Sequence, residues 1–231
     1  MADLSIRSRQ EEQMDAADLD AGTYRRVLSD LARVNRVTFT AHPTIAYLKR
    51  ATAGIRRFRL LDVGYGHGDL LRTVALWARK AGIDADLVGV DLNPRSRDIA
   101  QAATPADLGI DYRTGDYRDQ EGPWDFVISS QVTHHMSDDQ LHAFLRFMEE
   151  DAGRGWLIVD LHRHGFAFWG YPLLARLLLV HRIVREDGTL SIARSFRRSE
   201  WERILREAGI EREAVRIERR FAFRLCVERV K

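Results

Sequence analysis

From residue 58 onward, short apolar runs alternate with longer stretches in which apolar residues return every three or four positions. That alternation marks buried strands separated by amphipathic helices. Runs 58–63, 86–91, 109–113, 124–129 and 155–161 read as five strands. After the first, Leu70, Leu71, Val74, Trp77 and Ala78 share one helical face, and Pro94 opens a helix through Ile99. Ser137-Asp138-Asp139-Gln140 is a capping-box pattern, a hydroxyl and an amide serving each other's backbone N–H at a helix start. Ser199-Glu200-Trp201-Glu202 reads as a second one, opening a helix that ends near Gly209. Strands joined by helical crossovers lie parallel. Residues 210–217 and 220–230 follow as two further strands, and their short link closes a hairpin, so the last strand is expected to run antiparallel.

The first 54 residues have another texture. They are polar and helical, with Tyr24, Val27, Leu28, Leu31 and Val34 at helical spacing over 21–35, and with Pro43 placed to open a second helix through Ile45 and Leu48. The expected organisation is an N-terminal helical cap over 1–54 on an α/β domain over 55–231. Within that domain, the stretch of about 163–195 holds Phe166, Phe168, Trp169, Tyr171 and a leucine-rich run. It reads as a substrate lid. With Tyr24, Phe39, His42 and Tyr47 it is expected to roof an apolar site; a homodimer contact is the alternative use of the same aromatics.

Composition narrows the partners. Thirty-six Lys and Arg face 34 Asp and Glu, a formal charge of +2, with the arginines interspersed among acids. Phosphate-backbone binding needs clustered excess charge, so no nucleic-acid partner is expected. No membrane span is expected either, since Arg176 interrupts the longest apolar run, 171–180. The single cysteine, Cys226, excludes an internal disulfide and a Cys-rich metal site. The N-terminus carries Asp3, Arg7, Arg9, Glu11 and Glu12 with no apolar run behind them. No secretory signal is therefore expected, and the expected compartment is the cytoplasm.

The chemistry concentrates in Leu60-Leu61-Asp62-Val63-Gly64-Tyr65-Gly66-His67-Gly68-Asp69. A buried strand enters a turn whose missing Cβ atoms permit positive φ and close approach of a ligand, and the next helix offers free N–H groups. This implies a nucleotide-containing ligand, against the plainer reading of a ligand-free turn. Asp69 stands where a dinucleotide fingerprint has its third glycine, which argues against a nicotinamide cofactor. The second strand ends in Asp91, a carboxylate able to accept ribose hydroxyls or simply to cap the helix after Pro94.

With these residues the chain, over about 55–231, resembles the class I S-adenosylmethionine-dependent methyltransferases, in the group that includes small-molecule and quinone-biosynthesis enzymes. The resemblance implies a Rossmann-like α/β fold: a seven-stranded, mostly parallel sheet with an antiparallel C-terminal strand and helices on both faces. It implies S-adenosylmethionine as cofactor, its methionine part at Asp62, Gly64, Tyr65, Gly66 and Gly68. Asp91, with Leu92 beside it, corresponds to the ribose-binding position; Asp116 corresponds to the acid that meets the adenine amino group, and Tyr117 flanks the ring. In Asp125-Phe126-Val127-Ile128-Ser129-Ser130-Gln131-Val132-Thr133-His134-His135-Met136, Ser130 and Gln131 fall beside the transferable methyl. The Asp-Pro-Pro-Tyr type of motif used on nucleobase nitrogens is absent. The resemblance therefore points to a small hydrophobic acceptor: polyketide-, phenol- or quinone-like. A non-catalytic scaffold of the same fold and an RNA methyltransferase are the competing readings.

Methyl transfer from a sulfonium is an in-line displacement that rests on positioning, and a phenolic acceptor adds the need for a base. His134, His135, His162 and His164 all fall at expected strand ends. His135 is the first candidate base and His162 the second. No metal is expected, because no carboxylate or cysteine spacing accompanies the histidines.

Overall fold

The computed structural model describes residues 3–231. Strands β1 (Arg57–Val63), β2 (Asp84–Asp91), β3 (Asp111–Thr114), β4 (Trp124–Ser130), β5 (Ala152–Leu161), β6 (Arg216–Arg220) and β7 (Arg224–Val230) form one sheet in the order β3-β2-β1-β4-β5-β7-β6. β7 is antiparallel to both β5 and β6, and the pairings among β1 to β5 are parallel. The fold is thus the mostly parallel, Rossmann-like sheet with a closing antiparallel strand that the sequence implied.

The central strands are apolar on both sides because helices cover both faces. On one face, Leu61, Val127, Trp156 and Ile158 meet Phe144 and Met148 of α5 (Asp138–Asp151) and Trp201 and Ile204 of α8 (Arg198–Glu207). On the other, Phe58, Leu60, Phe126 and Leu157 meet Leu71 and Val74 of α3 (Asp69–Ala81) and Tyr47 and Leu48 of α2 (His42–Ala51), with Ala100 of α4 (Pro94–Ala102) in the same cluster. Each such fully buried side chain contributes roughly 1.5–3 kcal/mol. Tyr47 is fixed to the sheet, its hydroxyl donating to the Arg229 carbonyl at 2.9 Å. A separate apolar cluster joins α1 (Ala21–Val37), α6 (Gly165–Leu177) and α7 (Arg182–Arg194) through Val27, Val34, Ala175, Ile183 and Val184.

Local signals held where the chemistry was local. Gln140 N–H donates to Ser137 Oγ at 3.2 Å and Ser137 N–H to Gln140 Oε1 at 2.8 Å, the reciprocal cap of α5. Elsewhere tertiary contacts moved the boundaries. Ser199 does not cap α8; Glu200 accepts from the Arg197 N–H at 2.6 Å and from Arg163 at 2.7 Å, which starts the helix two residues earlier. Ile210 and Val215 are core anchors flanking a 3-10 turn, so β6 starts only at Arg216.

Residues 3–20 form a strap rather than a helix, apart from a 3-10 turn at Gln13–Asp15 and the cap of α1. Arginines of the domain hold its backbone. Arg163 Nε and Arg197 Nη2 donate to the Leu4 carbonyl, and Arg194 Nη1 donates to that of Gln10. In return Arg7 Nη2 donates to the carbonyls of His134 and Met136 at 2.9 Å. Asp187 accepts the N–H groups of Gln13 and Met14. These bonds bring Glu12 and Asp15 to the end of β4.

Candidate active site

A cavity of about 700 Å³ opens beyond the ends of β1, β2 and β4, where parallel sheets hold their ligands. The turn after β1 forms its floor. Gly64, Gly66 and Gly68 have φ of 80°, 52° and 75°, a region costly for other residues. A Cβ on Gly64 would lie 2.3 Å from Val132 Cγ2, whereas one on Gly66 would make only ordinary contact, 3.7 Å from Leu28 Cδ2. Gly68 is set back from the cavity lining; there a Cβ would lie 2.4 Å from the Tyr112 hydroxyl, so glycine serves the start of α3.

The structure brings the other expected cofactor residues to one cavity: Asp62, Gly64, Tyr65, Gly66, Asp91, Leu92, Asp116, Tyr117, Ser130 and Gln131. Asp62 is buried with both carboxyl oxygens unpartnered. Burial, reinforced by Asp69 and Asp91, pushes its pKa up to about 8. Asp91 accepts from Gly66 N–H and from Asn93 N–H, each at 2.9 Å, and burial also raises its pKa. Tyr65 packs against Tyr112 with ring centroids 4.8 Å apart. Asp116 accepts from the Arg118 N–H at 2.9 Å and pairs with its guanidinium, which holds its pKa down. Tyr117 rests on Phe144 and Phe147. Ser130 Oγ is buried without a partner, and Gln131, at φ 59°, donates to Asn35 Oδ1 at 2.8 Å.

Of the roof residues, Tyr24, Phe166 and Tyr171 line the cavity, joined by Leu28 and Leu31 of α1 and Leu174 of α6. Phe39, His42, Tyr47, Phe168 and Trp169 do not.

The four histidines separate into two groups. His134 and His135 line the cavity; His162 and His164 do not. His162 is buried, and burial together with Arg219 and its neighbours pushes its pKa down to about 4. His164 caps α6, accepting from the Phe166 N–H. His134 is enclosed, its Nδ1 2.7 Å from Asp160 Oδ1. Although desolvation opposes the charge, Asp160 and Glu12 push its pKa up to about 9. His135 is partly exposed, with Nδ1 2.9 Å from Asp15 Oδ2. Glu12, Asp15 and Asp160 escaped the sequence reading. Only Asp160 left a signal, as an acid inside the otherwise apolar Trp156-Leu157-Ile158-Val159-Asp160-Leu161.

A doubly covered, mostly parallel sheet closed by a hairpin, with a glycine turn after β1 and an acid ending β2, defines the α/β class to which Rossmann-like methyltransferases belong. The chain belongs to a family described as a methyltransferase domain, whose sequence profile matches residues 32–215. Solved structures agree in fold. The human N-acetylserotonin methyltransferase, in complex with S-adenosylmethionine, aligns over 92% of this chain and 56% of its own at 15% identity, TM-score 0.63. The magnesium protoporphyrin IX methyltransferase from Synechocystis PCC 6803, with the same molecule bound, aligns over 94% and 99% at 18% identity, TM-score 0.57. A plantazolicin methyltransferase, in complex with a desmethyl analog and S-adenosylhomocysteine, aligns over 83% and 71% at 15% identity, TM-score 0.61. No curated protein matches the sequence significantly. Among the described residues, no helix is long and apolar enough to cross a membrane.

Proposed function

We propose that this protein transfers a methyl group from S-adenosylmethionine to a small, largely apolar acceptor carrying an ionisable hydroxyl, a phenol or enol in type. The observation that carries this reading is Asp62: a buried, unpartnered carboxyl beside an open glycine turn needs a cationic donor, and the methionine ammonium is one. The other residues suit the rest of the cofactor. Gly66 leaves room at the backbone, Asp91 keeps lone pairs for ribose hydroxyls beyond the two N–H groups it accepts, and Asp116 and Tyr117, lining the same cavity, suit an adenine amino group and ring. Bound there, the cofactor supplies an electrophilic methyl on a sulfonium.

The chain's own part is placement and proton handling. Leu28, Leu31, Phe166, Tyr171 and Leu174 form an apolar roof that would exclude water and orient an apolar acceptor. The named acceptors of the similar structures, N-acetylserotonin, magnesium protoporphyrin IX and plantazolicin, are small molecules and support that choice of class. The acceptor's proton leaves toward the Glu12–His134–His135 cluster, of which His135 is the exposed member. A panel of phenols, enols and polar metabolites incubated with methyl-labelled S-adenosylmethionine tests the acceptor class; methylation of polar members alone would contradict it. On any acceptor so found, His135→Ala is expected to keep cofactor affinity while lowering turnover at least about tenfold. Unchanged turnover would remove His135 from the base role.

A further inference from the structure

We propose that Glu12, His134 and His135 form a divalent-cation site in the cavity wall, of the nitrogen–oxygen type that suits Zn²⁺. Both imidazoles are oriented as metal ligands usually are, with one ring nitrogen held by a carboxylate and the other free. His134 Nδ1 meets Asp160 at 2.7 Å, and His135 Nδ1 meets Asp15 at 2.9 Å. Both Nε2 atoms then face one carboxylate, His134 Nε2 at 3.4 Å from Glu12 Oε1 and His135 Nε2 at 3.8 Å from Oε2.

Those two distances are informative. Charge-assisted N–H···O bonds run to about 2.7–2.9 Å, so neither contact is one. Ligand atoms about 2.0–2.1 Å from a tetrahedral Zn²⁺ stand about 3.3–3.4 Å from each other. The three residues each offer one ligand atom within 4.8 Å of the others, and the rings lie side by side with centroids 4.3 Å apart. His134 Nε2 is buried and has no hydrogen-bond partner, although its side chain is only 3% exposed.

The surroundings favour a dication. Glu12 Oε1, the oxygen nearer His134, accepts from Ser191 Oγ at 2.8 Å with Arg194 Nε at 3.9 Å, and keeps a lone pair for a cation. Three carboxylates, Glu12, Asp15 and Asp160, face two imidazoles, with the Arg194 guanidinium near Glu12 and that of Arg7 held on the His134 and Met136 carbonyls. Sequence spacing argued against a metal because no carboxylate accompanies the His-His pair. The fold supplies one from the N-terminal strap. Three protein ligands leave a position open toward the cavity, as in catalytic rather than structural sites. A cation there would take over from His135 the task of ionising the acceptor hydroxyl, lowering its pKa so that the proton leaves to solvent while the imidazoles stay ligands; this role, unlike the binding itself, rests on the methyltransferase reading.

The test is Zn²⁺ titration calorimetry on the full, untagged chain after removal of metal with EDTA, repeated with Co²⁺ while following its visible absorption. One Zn²⁺ per chain is expected, with the Co²⁺ form giving the bands of a four-coordinate site. Glu12→Gln and His135→Ala are each expected to weaken Zn²⁺ binding at least about a hundredfold, while His162→Ala, outside the cavity, binds as the parent does. Thermal melting accompanies each variant. His135 is partly exposed, so its variant keeps the test decisive if Glu12→Gln melts early. Absence of stoichiometric Zn²⁺ binding in the parent, or parental affinity in both variants, would overturn the proposal. Titration of the same samples with S-adenosylmethionine reports on the methyltransferase reading separately, so either can fail alone.

Discussion

Asp62→Ala is expected to make the cofactor-free protein more stable and its affinity for S-adenosylmethionine about a hundredfold weaker. A buried polar group without a partner costs about 1–3 kcal/mol, and both oxygens of Asp62 are in that position. Removing them relieves that cost, offset in part by the small void left. The same carboxylate is worth about 1.5–3 kcal/mol once it holds a charged donor, and the variant forfeits that on binding. The pH dependence has a defined sign. Asp62 holds its proton up to about pH 8 in the folded protein but loses it near pH 4 when unfolded, so the unfolded state binds fewer protons between those values. The parent therefore loses stability as pH rises from about 4 to about 8, and the advantage of the variant grows across the same window. Denaturant melts at several pH values, with cofactor calorimetry at one, measure both effects. A variant that is less stable, or that binds as the parent does, would remove Asp62 from the proposed site.

Asp160→Ala is expected to lower stability by about 3–5 kcal/mol, the cost of leaving a buried charge without its partner. Asp160 is fully enclosed and accepts from Thr133 Oγ1, His134 N–H and Leu161 N–H besides facing the His134 ring. Four groups lose their acceptor together, three in the turn after β4 and the Leu161 N–H at the end of β5. For a chain of this length the melting temperature would fall by about 10 °C. Differential scanning calorimetry measures it, and a change under about 1 kcal/mol would mean that the segment from Thr133 to His135 is held by other contacts.

The parts of the fold that follow from neighbouring residues were legible in the chain: the alternation of strands and helices, the glycine turn, the Ser137 cap and the closing hairpin. Each depends on periodicity or on contacts a few residues apart. The strap was not legible, because its course is set by Arg163, Arg194 and Arg197 binding backbone carbonyls of residues far away in sequence, a use of arginine without periodicity. For that reason nothing in the sequence marks Glu12 and Asp15 as residues of the cavity. Tyr47 misled in the other direction: an aromatic at helical spacing suits a roof or a core equally, and the Arg229 carbonyl decides for the core. Gly68 belongs to the glycine pattern, yet its need for a bare Cα comes from Tyr112, a contact that no local signal announces.

The most direct measurement is calorimetric titration of the purified protein with S-adenosylmethionine. One saturable site per chain is expected, displaced by S-adenosylhomocysteine and indifferent to nicotinamide dinucleotides. Absence of binding, or stronger binding of a nicotinamide dinucleotide, would contradict the proposed use of the glycine turn, Asp62 and Asp91.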